Sequence, residues 1–327
     1  MSLTRRSDPP AADAGAAGQA AEIRIGTFMA GASGVRLHVA QAGSAAAPAM
    51  LLLHGFPEHW ITWQAMMPAL AQTRRVVAPD QRGVNLSDKP APAGAYEPRE
   101  LVADAVALID ALNADAGAHA DPARRCVLVG HDWGGAVAWN VAIAHPERIA
   151  ALVILNAPHP WKFWHALAFD AEQQRASAYM NWLRKPGSEA ALTDRDFARL
   201  DGFFMNLGGG AWFRGALRSA YHAAWSQPGA LTASLNWYRA SPLHPPQPGD
   251  AGAAALALDA DRFVVRVPTL VLWGERDPAL PASLLDGLER FVPDLRIERL
   301  PECTHWLTHE RAALLAERIG AFAPPPG

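Results

Sequence analysis

The chain has 327 residues; 50% are apolar and 19% charged, and 29 basic against 32 acidic side chains leave a formal net charge of −3. A weakly charged, half-apolar chain of this length can bury a large core, which excludes disorder over most of it, and the near-balanced charge gives no electrostatic reason to expect nucleic acid or an anionic membrane as partner. Two cysteines, Cys126 and Cys303, exclude a disulfide framework, and no apolar run approaches the ~20 residues of a membrane span, so a reducing cytoplasm is the expected location.

Residues 1–22 read as a disordered tail. Arg5-Arg6 would suit a twin-arginine signal, but the Ala/Gly/Pro/Asp-rich stretch that follows through Ala21 has no apolar h-region. Two β-rich stretches, Ile23 to Ala30 and Val35 to Ala40, flank a turn at Ala32-Ser33-Gly34. Short buried strands are expected at Met50 to Leu53, Arg75 to Ala78, Cys126 to Val129 and Ile149 to Leu155. Helices fall between them at Trp63 to Ala71, Pro98 to Leu112 and Gly134 to Ala144. In the second helix Leu101, Ala105, Leu108 and Leu112 share one face. Alternating strands and helices imply a mostly parallel sheet flanked by helices.

From Ala157 to about Arg262 the rhythm changes to helical and irregular segments without a convincing buried strand. Six of the twelve tryptophans lie here. The α/β pattern then resumes with strands at Thr269 to Trp273 and Leu295 to Ile297, and helices at Leu284 to Phe291 and Leu307 to Phe322. The economical organisation is one α/β core, 23–156 and 263–327, with a helical cap, 157–262, over the carboxyl ends of the strands, where open α/β sheets hold ligands.

Gly130-His131-Asp132-Trp133-Gly134-Gly135 lies between a strand and a helix. Its small residues suit a tight, strained turn, the nucleophile-elbow layout with Asp132 where the common version has Ser. A carboxylate of pKa ~4 is already ionised at neutral pH. It suits displacement at a tetrahedral carbon, giving an ester that an activated water must hydrolyse. Asp277, just past a strand, and His305, in the loop before the last helix, fit the water-activating pair, and the order Asp132, Asp277, His305 matches nucleophile, acid and base. Asn156 stands at an alternative acid position and cannot serve as the acid. His309 reads as a helix-surface residue, His131 as a neighbour imposed by the elbow, and His119, His145, His222 and His244 as surface or loop positions. Nothing marks Cys303 as a nucleophile. His54-Gly55-Phe56-Pro57 follows a strand, and its turn can aim the Phe56 N–H beside that of Trp133 as an oxyanion hole.

With these motifs in view, the chain resembles the α/β-hydrolase superfamily over nearly its whole length after the tail. LHGFPE (Leu53 to Glu58), DQRGVNLSDKP (Asp80 to Pro90), GHDWGG, GERD and THW look like epoxide hydrolases, and LNAPHP (Leu155 to Pro160) is similar to the point where that family's cap begins. The resemblance implies two cap tyrosines that hold the epoxide oxygen. Of four tyrosines, Tyr238 in Asn-Trp-Tyr-Arg matches one motif, Tyr179 the other, and Tyr221 is the fallback. Asn85 stands where related sequences often carry Gly; Asn tolerates the left-handed conformation well. The implied activity is conversion of an apolar epoxide to a vicinal diol, with Trp133, Tyr179 and Tyr238 touching the substrate. Water is the second reactant, no metal or cofactor is required, and the oligomeric state is monomer or homodimer. The alternative is a haloalkane or haloacid dehalogenase using the same Asp nucleophile. Phe56 stands where haloalkane enzymes usually carry Asn, and Trp133 where haloacetate types carry Arg. A non-enzymatic relative would be expected to lose part of the triad.

Overall fold

The computed structural model describes residues 21–30, 33–115 and 124–324. The expected tail lies outside them except for its last two residues, as do Ala32 of the expected turn and His119. Eight strands form one sheet: β1 (Arg24–Ala30), β2 (Val35–Ala42), β3 (Ala49–Leu53), β4 (Arg75–Pro79), β5 (Cys126–His131), β6 (Ile149–Leu155), β7 (Thr269–Gly274) and β8 (Leu295–Leu300). Their spatial order is β1-β2-β4-β3-β5-β6-β7-β8. β1 and β2 pair antiparallel, as do β2 and β4; every other pair is parallel.

The central strands are short apolar runs because both faces are covered. Along β5, Cys126 and Leu128 point to one helical layer and Val127 and Val129 to the other, the period of two that a pleated strand imposes. The first layer is α2 and α3; the second holds α1 and the last helix. In chain order the helices are α1 (Met67–Leu70), α2 (Pro98–Asp115), α3 (Trp133–Ala144), α4 (Pro160–Phe169), α5 (Ala171–Ala176), α6 (Ala178–Leu183), α7 (Ser188–Met205), α8 (Gly215–Trp225), α9 (Ala230–Ala240), α10 (Leu307–Glu310) and α11 (Ala312–Phe322). Leu101, Ala105, Leu108 and Leu112 of α2 are all buried; each leucine so placed contributes about 1.5–3 kcal/mol of apolar transfer.

Three expected helices are shorter or broken. Trp63 to Ala71 holds only the four-residue α1, preceded by a 3₁₀ turn at Trp60–Trp63. Pro68 falls at the start of α1, where its missing N–H costs nothing. Leu284 to Phe291 is two 3₁₀ turns, Ala282–Leu285 and Leu288–Arg290. Gly287, at φ 73°, separates them. The last helix divides into α10 and α11 at Arg311, whose φ/ψ of −136°/36° are not helical.

Between β6 and β7 the described chain holds α4 to α9, 3₁₀ turns and one isolated bridge, Gln247 to Asp250. Residues 194–197 leave helical angles inside α7. Leu183, Leu192, Leu200, Phe204, Phe213 and Leu235 give this segment its own apolar cluster, which Phe56 and Trp306 of the sheet unit join. Three indoles fasten the two layers. Trp225 donates to the Pro57 carbonyl at 2.7 Å, Trp237 to that of Arg82 at 3.0 Å, and Trp306 to that of Phe203 at 2.8 Å. Pro57, Arg82 and Trp306 lie in segments that follow the carboxyl ends of β3, β4 and β8. The helices therefore sit over the end of the sheet where the loops after the parallel strands converge.

Candidate active site

β5 ends at His131, and α3 begins at Trp133. Asp132 between them has φ 49° and ψ −121°, a conformation that L side chains resist and that projects the carboxylate away from the sheet. The turn closes because Gly134 has no side chain: a Cβ there would lie 2.1 Å from the Leu53 carbonyl oxygen. Gly55 is constrained by the carboxylate itself, since its Cβ would fall 2.3 Å from Asp132 Oδ1. With that space open, the Phe56 N–H donates to Asp132 Oδ1 at 2.8 Å.

His305 lies across from the elbow. Its Nε2 is 3.7 Å from Asp132 Oδ2, and its Nδ1 is 2.5 Å from Asp277 Oδ2. Asp277 is held on every side. Its Oδ1 accepts from the N–H groups of Ala279 and Leu280 at 2.9 and 3.0 Å, and its Oδ2 from Asn156 Nδ2 at 2.8 Å. Burial works against ionisation of Asp277, yet His305 and these donors hold its carboxyl below the usual range. Burial would also depress the His305 imidazole, but Asp277 and then Asp132 push it up to about 9. Burial raises the Asp132 carboxyl, opposed by His305, His131 and the N–H groups of Phe56 and Trp133. The His305 imidazole thus sits between two carboxyl groups, each of which favours its protonated form.

The opposite wall is aromatic. Tyr238 of α9 is nearly fully buried and meets Phe56 and Trp133 edge-on, at ring-centre distances of 5.3 and 5.1 Å. Tyr179 of α6 lies 6.3 Å from Tyr238, centre to centre. Burial, with Asp132 nearby, pushes both phenols above their ordinary value, so both stay protonated donors. Two cavities, of about 290 and 350 Å³, meet at Asp132, Tyr179 and Tyr238. The first is lined by such residues as Leu101, Val137, Phe163, Leu243 and Leu258; the second reaches His305, Phe203 and Arg199.

All seven residues singled out above, Asp132, Asp277, His305, Tyr179, Tyr238, Phe56 and Trp133, thus converge on one place. Tyr221 does not: it is fully buried in a separate polar cluster, with its hydroxyl 3.1 Å from His309 Nε2. His309 is correspondingly not a surface residue, because Trp212 stacks on its ring at 4.2 Å. His244 is buried, and His222 Nε2 is 2.7 Å from Asp201 Oδ1. Asn156, set aside as an acid, orients one instead; its Oδ1 also accepts the Gly274 N–H at 2.6 Å. Asn85 is left-handed, at φ 45°. Cys303 is buried, which pushes its thiol up and leaves little thiolate. Among the described residues no group of three or more His, Cys, Asp or Glu side chains could hold a metal ion. Among them, too, no helix is long and apolar enough to cross a membrane.

Comparison with known proteins identifies the family. The family model of the alpha/beta hydrolase fold matches residues 48–312. The AB hydrolase superfamily protein YfhM of Bacillus subtilis is 36% identical over 88% of this chain and 94% of its own length. Epoxide hydrolase 4 of Mus musculus is 33% identical, over 89% of this chain and 77% of its own. A crystal structure of a mutant epoxide hydrolase from Bacillus megaterium, complexed with its naphthyloxy-propanediol product, superposes with a TM-score of 0.77 at 30% identity, covering 88% of this chain and 97% of that one. The chain belongs to the α/β-hydrolase superfamily and, within it, to the epoxide hydrolase family.

Proposed function

We propose that the chain converts an apolar epoxide to a vicinal diol through an ester formed on Asp132, with residues 157–262 acting as a cap that supplies Tyr179 and Tyr238. The observation that carries this reading is the meeting of a carboxylate at the strained elbow with two protonated phenols at the junction of two cavities. Opening an oxirane leaves an alkoxide, a poor leaving group that needs a proton donor, and phenols on the opposite wall are suited to that task.

Asp132 Oδ2 attacks an oxirane carbon while the Tyr179 and Tyr238 hydroxyls hydrogen-bond the departing oxygen. Ester formation removes one of the two anions that stabilise the proton on His305, so the imidazole becomes more acidic when a base is required. The separation of 3.7 Å between His305 Nε2 and Asp132 Oδ2 is consistent with a water held near the ester carbonyl. His305 passes its proton on through solvent to the alkoxide; the neutral imidazole, oriented by Asp277, then takes a proton from that water, and the Phe56 and Trp133 N–H groups stabilise the oxyanion. The apolar linings favour an aryl or alkyl epoxide, and the diol product bound by the Bacillus megaterium relative supports that class.

Multiple turnovers in isotopically labelled water test the reading. Label should enter the Asp132 carboxylate, because water attacks that carbonyl. Label found only in the diol after one turnover would mean direct attack by water. Halide release from a haloalkane, with no diol from epoxides, would instead support the dehalogenase reading.

A further inference from the structure

α9 ends with a carbonyl that its own helix leaves without a donor. The Tyr238 C=O would accept from the N–H four residues on, but position 242 is proline. The donor comes from the neighbouring helix instead. Arg184, the residue after α6, sends Nη1 to the carbonyl oxygens of Tyr238 and, at 2.9 Å, of Ser241. Arg239, next to Tyr238, makes the reverse connection: Nη2 donates to the Lys185 carbonyl at 3.2 Å and Nε to the Arg184 carbonyl at 3.4 Å. The end of α9 is thus closed by an arginine from the Tyr179 helix, and the end of α6 by an arginine beside Tyr238.

The two arginines are not equivalent. Arg239 Nη1 also pairs with Glu189 Oε1 at 2.6 Å. Arg184 is half-buried and, among the described residues, forms no ion pair. Burial lowers its affinity for the proton, with only Asp250 opposing. A helix C-terminus favours a cation only modestly, so capping alone is a slim reason to withdraw this one from water. The place of the bond supplies a better reason. Its acceptor is the peptide of the residue whose phenol must share one oxygen with the phenol of Tyr179.

We propose that Arg184 is a positioning residue for the alkylation half-reaction: by holding the Tyr238 peptide to the end of the Tyr179 helix, it fixes the spacing at which the two phenols converge on the oxirane oxygen. The inference rests on the roles given to Asp132, Tyr179 and Tyr238 above. One oxygen accepts both hydroxyls only when each lies about 2.7–2.8 Å from it, and the two rings, 6.3 Å apart at their centres, come from helices far apart in the chain. In Arg184→Met the aliphatic stem stays and the donors go. The Tyr238 carbonyl is released, the end of α9 shifts, and one hydroxyl leaves its place. A displacement of ~1 Å costs on the order of a hundredfold. Ester hydrolysis uses neither phenol, so it is spared.

Single-turnover kinetics with styrene oxide, following the ester by intact-protein mass and the diol by rapid quench, test this. The chains compared are wild type, Tyr238→Phe, Arg184→Met and the two substitutions combined. Arg184→Met is expected to slow alkylation about 10- to 100-fold, by no more than Tyr238→Phe itself, and to leave ester hydrolysis within about threefold of wild type. In the Tyr238→Phe background the same change should slow alkylation by less than about threefold, because no second phenol is left to misplace. Equal slowing in both backgrounds marks a general loss of structure and overturns the proposal, as does unaltered alkylation or an equal loss of hydrolysis. Arg184→Gln, with the same expected pattern, takes the place of Arg184→Met if that chain does not fold; failure of both to fold assigns Arg184 to stability and overturns the proposal too. A Tyr238→Phe chain that alkylates at the wild-type rate, or a wild type that forms neither ester nor diol, fails the phenol and ester mechanism itself, a result separable from failure of the role given to Arg184.

Discussion

On the wall built by the sheet, Asp132, Asp277 and His305 are ionisable, and each is met by hydrogen bonds or an ionisable partner: Phe56 N–H on Asp132, four donors on Asp277, and a carboxyl group at each ring nitrogen of His305. On the wall built by the segment between β6 and β7, Tyr179 and Tyr238 are neutral and stand among aromatic rings. The difference follows from what burial costs. An unpaired buried charge is expensive, so charges sit where loops after parallel strands converge and supply backbone N–H groups. A buried phenol stays uncharged and needs only aromatic packing and one acceptor, which the substrate oxygen supplies. In the proposed reaction the walls therefore divide the work: the helical wall serves the oxygen that departs, the sheet wall the ester that must be cleared.

The comparison breaks completely if the nucleophile is removed. Asp132→Ala is expected to lower kcat by several orders of magnitude and to abolish adduct formation, while circular dichroism shows the fold intact. A variant that still forms adduct would place the nucleophile elsewhere. His305→Gln separates the walls: it should still alkylate and should accumulate a species heavier by the mass of the substrate. Loss of the general base slows hydrolysis by roughly 10²–10⁴-fold. Loss of alkylation instead would assign His305 to the first half-reaction.

The helical wall should give the opposite pattern. Tyr238→Phe is expected to slow alkylation by about a hundredfold, the typical cost of one such donor, with ester hydrolysis nearly unchanged. Tyr179→Phe should behave alike, and the double variant should be close to inactive toward epoxides yet still open to a haloalkane, whose leaving group needs no proton. Rapid-quench measurement of both steps decides the matter. Equal alkylation rates in wild type and both single variants would remove the division of labour.

The sheet wall was the more legible of the two in the sequence, for local reasons. Three glycines around Asp132, and acid and base each placed just beyond a strand, mark positions set by backbone geometry within a few residues. The contacts that escaped notice join residues far apart in the chain. His309 looks like a helix-surface residue until Trp212, almost a hundred residues earlier, stacks on it. Asn156 looks inert until the pairing of β6 with β7 brings Gly274 and Asp277 beside it. Tyr179 and Tyr238 came from family resemblance and not from periodicity, because nothing in the spacing of an aromatic helix says which ring faces a cavity. The missed helix breaks at Gly287 and Arg311 are single-residue φ/ψ choices that apolar periodicity does not register.

The smallest expected effect tests the charge on the sheet wall without any substrate. The His305 imidazole stands at about 9 in the folded chain, above its ordinary value of ~6.5 in an unfolded one. A value raised on folding means that the proton binds the folded state more tightly and stabilises it. That contribution is complete below pH ~6.5 and is lost as pH rises through about 9. His305→Gln has no such proton, and it leaves Asp132 and Asp277 facing each other without a cation at every pH. Wild type should therefore melt a few degrees above the variant at pH 6, since about 1 kcal/mol moves the midpoint of a chain this size by roughly 2 °C. The gap should narrow between pH 7 and 10 as wild type loses the same charge. Differential scanning calorimetry of both proteins across that range reads it directly. A gap that stays constant with pH would mean that His305 is neutral at rest, and that removing a negative charge from Asp132 is not what prepares it to act as a base.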